Sequence, residues 1–237
     1  MNIEKEINNY INPIYEDNHI IVALKPPNIP TQRDITNDIS FFDNIRDYIK
    51  IKYNKKGNIF LGIVHRLDRP VSGIMVFAKT SKAASRLSES IRNRKFEKTY
   101  YTVVNGILSE KNGCLENYII KKTNKMGNIA QVVFENTKKS KIAKLKYYVE
   151  KENIIKNLSL IRVELETGRF HQIRVQLSNI GHTIYGDRKY GNYIKYNRDY
   201  VPLALFAKSL RFPHPTKDEI IFVDAPLPKH NPWNIFL

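Results

Sequence analysis

Between residues 96 and 166 one β-like run follows another with no helical period between them, and that succession limits what the chain can build. Residues 96–104 alternate enough for a strand and end at Asn105-Gly106. Four more runs follow, at residues 115–120, 129–134, 143–149 and 158–165. Parallel neighbours need long crossovers, usually helical, so strands in direct succession predict an antiparallel α+β arrangement rather than a doubly wound sheet. The turn Lys125-Met126-Gly127-Asn128 supports a hairpin between the first two of the four.

Elsewhere the pattern supplies helices to cover that sheet. Asp38 or Ser40 can cap a helix that sets Phe42, Ile45 and Ile49 on one face, and Thr80 or Ser81 can cap another with Ala84, Leu87 and Ile91 inward. Residues 19–24 read as a strand broken by Lys25-Pro26-Pro27, and residues 203–212 and 219–223 read as closing strands. In 237 residues there is no linker-like stretch, no fixed-period repeat and no apolar run near the roughly 18 residues that span a membrane. One domain over residues 1–237 is expected, a central, mostly antiparallel mixed sheet flanked by helices and loops, with no membrane partner and as a monomer.

The formal net charge of +16 is the footprint of a protein that meets a polyanion, nucleic acid first. Part of that excess follows from an abundance of Lys, Asn and Ile, which scatters lysines without making a face. A single Cys114 rules out an intrachain disulfide, and the first ten residues hold acids without an apolar core, so a cytoplasmic location is expected. No Gly-rich phosphate loop is present, so no nucleotide cofactor is indicated.

The stretch from 62 to 80, G-I-V-H-R-L-D-R-P-V-S-G-I-M-V-F-A-K-T, places a charged turn between two apolar runs. His65, Arg66, Asp68 and Arg69 meet there, closed by Pro70 and Ser72-Gly73. An aspartate among arginines stays ionised, since its ordinary pKa is about 3.9 and neighbouring cations favour the charge. Such a cluster serves either as ion pairs tying two strands or as a shielded anion for nucleophilic work. Lys25, Gln32 and Arg33 sit in a proline-stiffened loop that either approaches a phosphate backbone or simply connects.

A second stretch, residues 166–177, reads E-T-G-R-F-H-Q-I-R-V-Q-L and turns from strand to helix, stopping at Gly181. On that helix Phe170, Arg174 and Leu177 share a face, which draws Arg174 toward the apolar side. A half-buried arginine requires an anion, either a structural partner such as Glu164 or Glu166, or Asp68.

Four stretches in order, H-R-L-D-R-P-V-S-G, K-T-Y, T-G-R-F-H-Q-I-R-V-Q-L and I-Y-G-D-R-K-Y-G, resemble the RluA-type RNA pseudouridine synthases, over a core of about residues 15–228. The resemblance implies the pseudouridine synthase fold with an active-site cleft across the sheet, neither metal nor other cofactor, and RNA as partner, a stem-loop of rRNA or tRNA. It implies Asp68 as the catalytic aspartate, Tyr100 stacked on the target uracil, and Arg174 paired with the aspartate. Arg66 falls where a cation fills the gap left by the flipped nucleotide. Lys25, Arg33, His65, Arg69, Arg169 and His171 complete the expected RNA contacts. Many relatives carry an N-terminal S4 RNA-binding domain, whereas here the first matching strand begins near His19, so no S4 domain is expected. The chain departs from the family pattern at Val71, Phe170, Gln176 and Phe206. Two other classes fit parts of the pattern: a metal-dependent nuclease on His65, Asp68 and His171, and a catalytically silent RNA-binding module.

Overall fold

The computed structural model describes residues 11–124, 127–191 and 201–237. The chain groups into two compact units, residues 1–97 with 207–225, and residues 98–206 with 226–237. The elements run β1 (Tyr15–Glu16), β2 (Ile20–Lys25), α1 (Phe41–Lys52), β3 (Gly62–Ile63), β4 (Ser72–Ala78), α2 (Ser81–Arg92) and β5 (Glu97–Asn105). Then come β6 (Asn112–Asn124), β7 (Gly127–Val133), β8 (Lys141–Asn153), β9 (Leu158–Leu165), α3 (Gln172–Asn179), β10 (Leu205–Pro213) and β11 (Ile220–Asp224). Lys125 and Met126 of the expected hairpin turn, and the ten opening residues, lie outside the described residues.

In the first unit the strands lie in the order β1-β2-β4-β10, with β3 on β4 and β11 on β10. β2 and β4 pair antiparallel from Ile20 opposite Ala78 to Lys25 opposite Gly73. Ile20 to Ala23 and Ile74 to Ala78 are almost wholly buried, as near-continuous apolar runs require. Gly73 has φ +130, and a Cβ there would stand 2.4 Å from the Ala207 carbonyl oxygen, so only glycine allows that approach.

Ser40 caps α1 through a capping box with Asp43, and Thr80 caps α2. Phe41 with Ile45, Tyr48 and Ile49 makes the buried face of α1, not Phe42 as the sequence suggested. Spacings of four, seven and eight residues from Phe41 keep that set on one stripe, and Phe42, one step round, is half-buried. Likewise Ala83 and Leu87 are the buried residues of α2, with Ala84 and Ile91 at its margin.

The second unit is an antiparallel array in the order β5-β9-β8-β6-β7. The antiparallel α+β arrangement expected from strands in succession is therefore present. β6 and β8 run 13 residues each, well past their apolar centres. Ladder hydrogen bonds need no buried side chains, so pairing continues into polar sequence that carries no strand signal. Val175 of α3 packs against Ile119, Ala130 and Ala143. Among the described residues no helix is long and apolar enough to cross a membrane.

Asp17 ties β1 and β2 to the β10–β11 connection. Its carboxylate accepts the His19 and Ile20 N–H groups at 2.7 and 2.8 Å and His214 Nε2 at 2.8 Å. Burial pushes the carboxyl up, but these three donors override it and hold its pKa at about 2, below the ordinary 3.8. A carboxyl depressed by folding stabilises above its ordinary pKa and loses that contribution as the pH falls through the folded value. Urea unfolding of the wild type is expected to show a loss of stability between about pH 4 and 2 that Asp17→Asn lacks.

Candidate active site

The connection from β3 to β4 carries Asp68 between two anchored neighbours. The Leu67 N–H donates to Thr31 Oγ1 at 3.2 Å, and the same hydroxyl donates back to the Leu67 carbonyl at 2.9 Å. One hydroxyl can do both, having one proton and two lone pairs. On the other side, Lys25 Nζ donates to the Arg69 carbonyl at 3.1 Å and to the Pro26 and Ile29 carbonyls at 2.9 and 2.7 Å. The Val71 N–H donates to the carbonyl of Asp68 itself at 3.0 Å and closes the turn. Arg66 is exposed, Leu67 buried and Asp68 half-buried, on a backbone anchored at both neighbours.

Several residues that the sequence set toward RNA also have partners within the protein. Lys25 is 1% exposed. Burial lowers its pKa to about 7, while the charge of Asp68 raises it and that of Arg69 lowers it. Those three carbonyls surround its Nζ within hydrogen-bond reach. His65 is buried and its Nε2 accepts the Val76 N–H at 3.1 Å, so that nitrogen holds no proton. Its ring packs 5.6 Å from that of Phe96, which stacks on Phe212 at 4.8 Å. Arg33 pairs with Asp43 at 2.9 Å, and Arg69 straps the turn to Asp34 and Asp38 at 3.1 and 2.7 Å.

In the second unit Arg174 is buried as its helical position suggested, with a partner the sequence did not disclose. Its Nε and Nη2 grip both carboxylate oxygens of Asp187 at 2.7 and 2.8 Å, and the Asp187 side chain is fully buried. Asp187 Oδ1 also accepts the Lys189 and Tyr190 N–H groups. Of the structural partners considered from sequence, Glu164 engages Arg162, and Glu166 lies 3.8 Å from Lys144. The signal for Asp187 was its place after Gly186 in I-Y-G-D-R-K-Y-G. Gly186 has φ +78, and a Cβ there would meet the Pro202 carbonyl oxygen at 2.3 Å.

Tyr100 lies on β5 opposite Val163 and is 7% exposed, while Tyr101 points to the other face opposite Arg162. Lys98 shares the Tyr100 face, and burial lowers its pKa. It stands inside the K-T-Y stretch without having been singled out. His171 caps α3 from a left-handed backbone, φ 52, and is 8% exposed. Burial first, then Arg174, Lys189 and Lys121, press its pKa down to about 2, so the ring is neutral. The Tyr190 hydroxyl accepts the Ala130 N–H at 2.6 Å and lies within hydrogen-bond reach of His171 Nδ1 at 2.8 Å. Arg169 Nε donates to the Ile142 carbonyl at 2.9 Å. Phe170, expected on the helix face with Arg174, precedes the helix. The Gln172 side-chain carbonyl accepts the Arg169 N–H and the Thr167 hydroxyl and turns the chain there.

Residues 19–179 match the family described as RNA pseudouridylate synthase. The chain belongs to that family. It is 33% identical over 225 residues to an uncharacterized RNA pseudouridine synthase of Bacillus subtilis, covering 91% of this chain and 68% of that protein. It is 32% identical over 231 residues to ribosomal large subunit pseudouridine synthase D of Haemophilus influenzae, covering 92% and 68%. The human RNA pseudouridylate synthase domain containing 4 shares the fold, with a TM-score of 0.76 at 22% identity over 96% of this chain and 92% of that one. The protein is thus an RluA-type pseudouridine synthase, an isomerase. Among the described residues no three His, Cys, Asp or Glu side chains group to hold a metal ion.

Removing one member of a buried ion pair leaves the other charge uncompensated, at about 3–5 kcal/mol. Asp187→Ala is expected to lower the urea unfolding free energy by about that much, and the double variant with Arg174→Ala by less than the sum of the two single losses.

Proposed function

We propose that this enzyme converts a uridine of structured RNA, ribosomal or transfer RNA, to pseudouridine, with Asp68 as the catalytic carboxylate. The N1–C1′ glycosidic bond breaks, the uracil turns, and C5 bonds to C1′. The observation that carries the assignment is the turn at residues 67–69. Leu67 and Arg69 are both anchored by side chains from another segment, and Asp68 between them is half-buried. A carboxylate so placed suits attack on the ribose or removal of a 2′ proton as the uracil leaves as an anion.

Tyr100 is assigned to stack on the target uracil and to assist proton transfer at C5. Arg174 is assigned to orient and stabilise the Asp68 charge, with Asp187 fixing its guanidinium. Arg66, exposed on the same turn, is assigned to the gap left by base flipping, which costs a few kcal/mol. Both units contribute to this list, so the proposal takes them as one catalytic domain, active as a monomer in the cytoplasm. Ribosomal RNA is the first substrate to test, because relatives in Haemophilus influenzae and Buchnera aphidicola are named for the large ribosomal subunit.

Base-resolution pseudouridine mapping of total RNA, from cells with the gene, without it, and carrying Asp68→Asn, tests the proposal. At least one modified position is expected to vanish in both altered strains, with the variant's melting temperature and RNA affinity kept. A modification that survives Asp68→Asn refutes the assignment of Asp68. Tyr100→Ala is expected to lower kcat by at least tenfold on the same RNA.

A further inference from the structure

Phe170 is the feature of the second unit that the proposed chemistry does not use. Of the four positions at which the chain departs from the family pattern, Val71, Gln176 and Phe206 are 2%, 0% and 5% exposed, whereas Phe170 is 38% exposed. Gln176 is consumed by the fold, its amide donating to Leu115, Asn117 and Ala143. Phe206 packs edge-on against Trp233. This partly exposed ring lies in the T-G-R-F-H stretch, next to the buried His171.

The ring is also held still. Phe170 stacks on His171 with centroids 3.8 Å apart and planes 19° from parallel. His171 is fixed in turn by the Tyr190 hydroxyl, and the Tyr190 ring lies edge-on to it at 5.6 Å and under the Arg174 guanidinium at 5.2 Å. The imidazole is neutral, so the pair is an uncharged two-ring stack. With one face of Phe170 filled by His171, the Lys121 ammonium, 5.1 Å from the ring centroid, occupies the other. Lys121 is exposed on β6, on a long, flexible stem. A flat heterocycle stacked on that face would displace the ammonium.

We propose that Phe170, backed by His171, is a stacking platform for a second, unreacted nucleobase of the RNA substrate, with Lys121 meeting that nucleotide's phosphate. The platform rests on the RNA-modifying reading above and assigns part of its substrate selection. Stacking accepts every base, so the site fixes where an unpaired nucleotide must lie rather than which base it is.

The test compares wild type, Phe170→Ala, Phe170→Leu and Phe170→Trp on total RNA purified from cells lacking the gene. Pseudouridine is counted to give apparent KM and kcat, filter binding of the same RNA gives Kd, and thermal melts check folding. Phe170→Ala and Phe170→Leu are expected to raise KM and Kd roughly 5- to 150-fold, the factor set by one base–aromatic stack, with kcat within twofold and Phe170→Trp near wild type. A KM and Kd for Phe170→Ala within twofold of wild type, or Phe170→Leu binding as well as Phe170→Trp, overturns the platform. If Phe170→Ala melts early, the Leu and Trp variants decide. If wild-type protein forms no pseudouridine, the functional reading fails, and the Kd contrast between Phe170→Leu and Phe170→Trp still decides the platform.

Discussion

A lysine side chain enclosed by three backbone carbonyls holds the first unit's β3–β4 turn in place. Lys25 ends β2, and its contacts to Pro26, Ile29 and Arg69 join that strand, the loop after it and the turn bearing Asp68. A buried carbonyl left without a donor costs about 1–3 kcal/mol, so all three segments are held to one arrangement by one side chain. Thr31, in the same loop, grips Leu67 through both of its backbone groups. Asp68 thus inherits its backbone position from the residues anchored on either side of it.

Period and punctuation in the sequence disclosed much of this architecture. β9 was legible to the residue at 158–165, because apolar content and strand length coincide there. The ends of β6 and β8 were not, because their outer residues pair in solvent with polar side chains. Arg174 was legible as buried from helical spacing alone. The pairing with Asp187 was not, because a helix period says which face an arginine occupies but not which later loop returns to it. Phe170 was assigned to a helix that begins two residues later, since the Gln172 side chain ends the turn before the pattern does.

The charged residues show the same limit more sharply. A net charge of +16 counts cations without saying which way they face. Lys52 and Lys79 close on the nearly buried Glu16, each at 2.7 Å, and Lys25 faces inward altogether. The charge that meets a polyanion is what remains after such commitments, and convergence of carbonyls or carboxylates on a lysine is a property of the fold rather than of its neighbours in sequence.

The Arg174–Asp187 pair also constrains how the second unit comes together. A guanidinium or a carboxylate taken out of water alone costs several kcal/mol, so neither residue reaches its native burial before the other. Asp187 further holds the N–H groups of Lys189 and Tyr190, and Tyr190 holds His171 at the start of α3. Helix α3 and residues 187–190 are therefore expected to open and close together in hydrogen exchange, with the Phe170 ring carried on the same unit through its stack on His171.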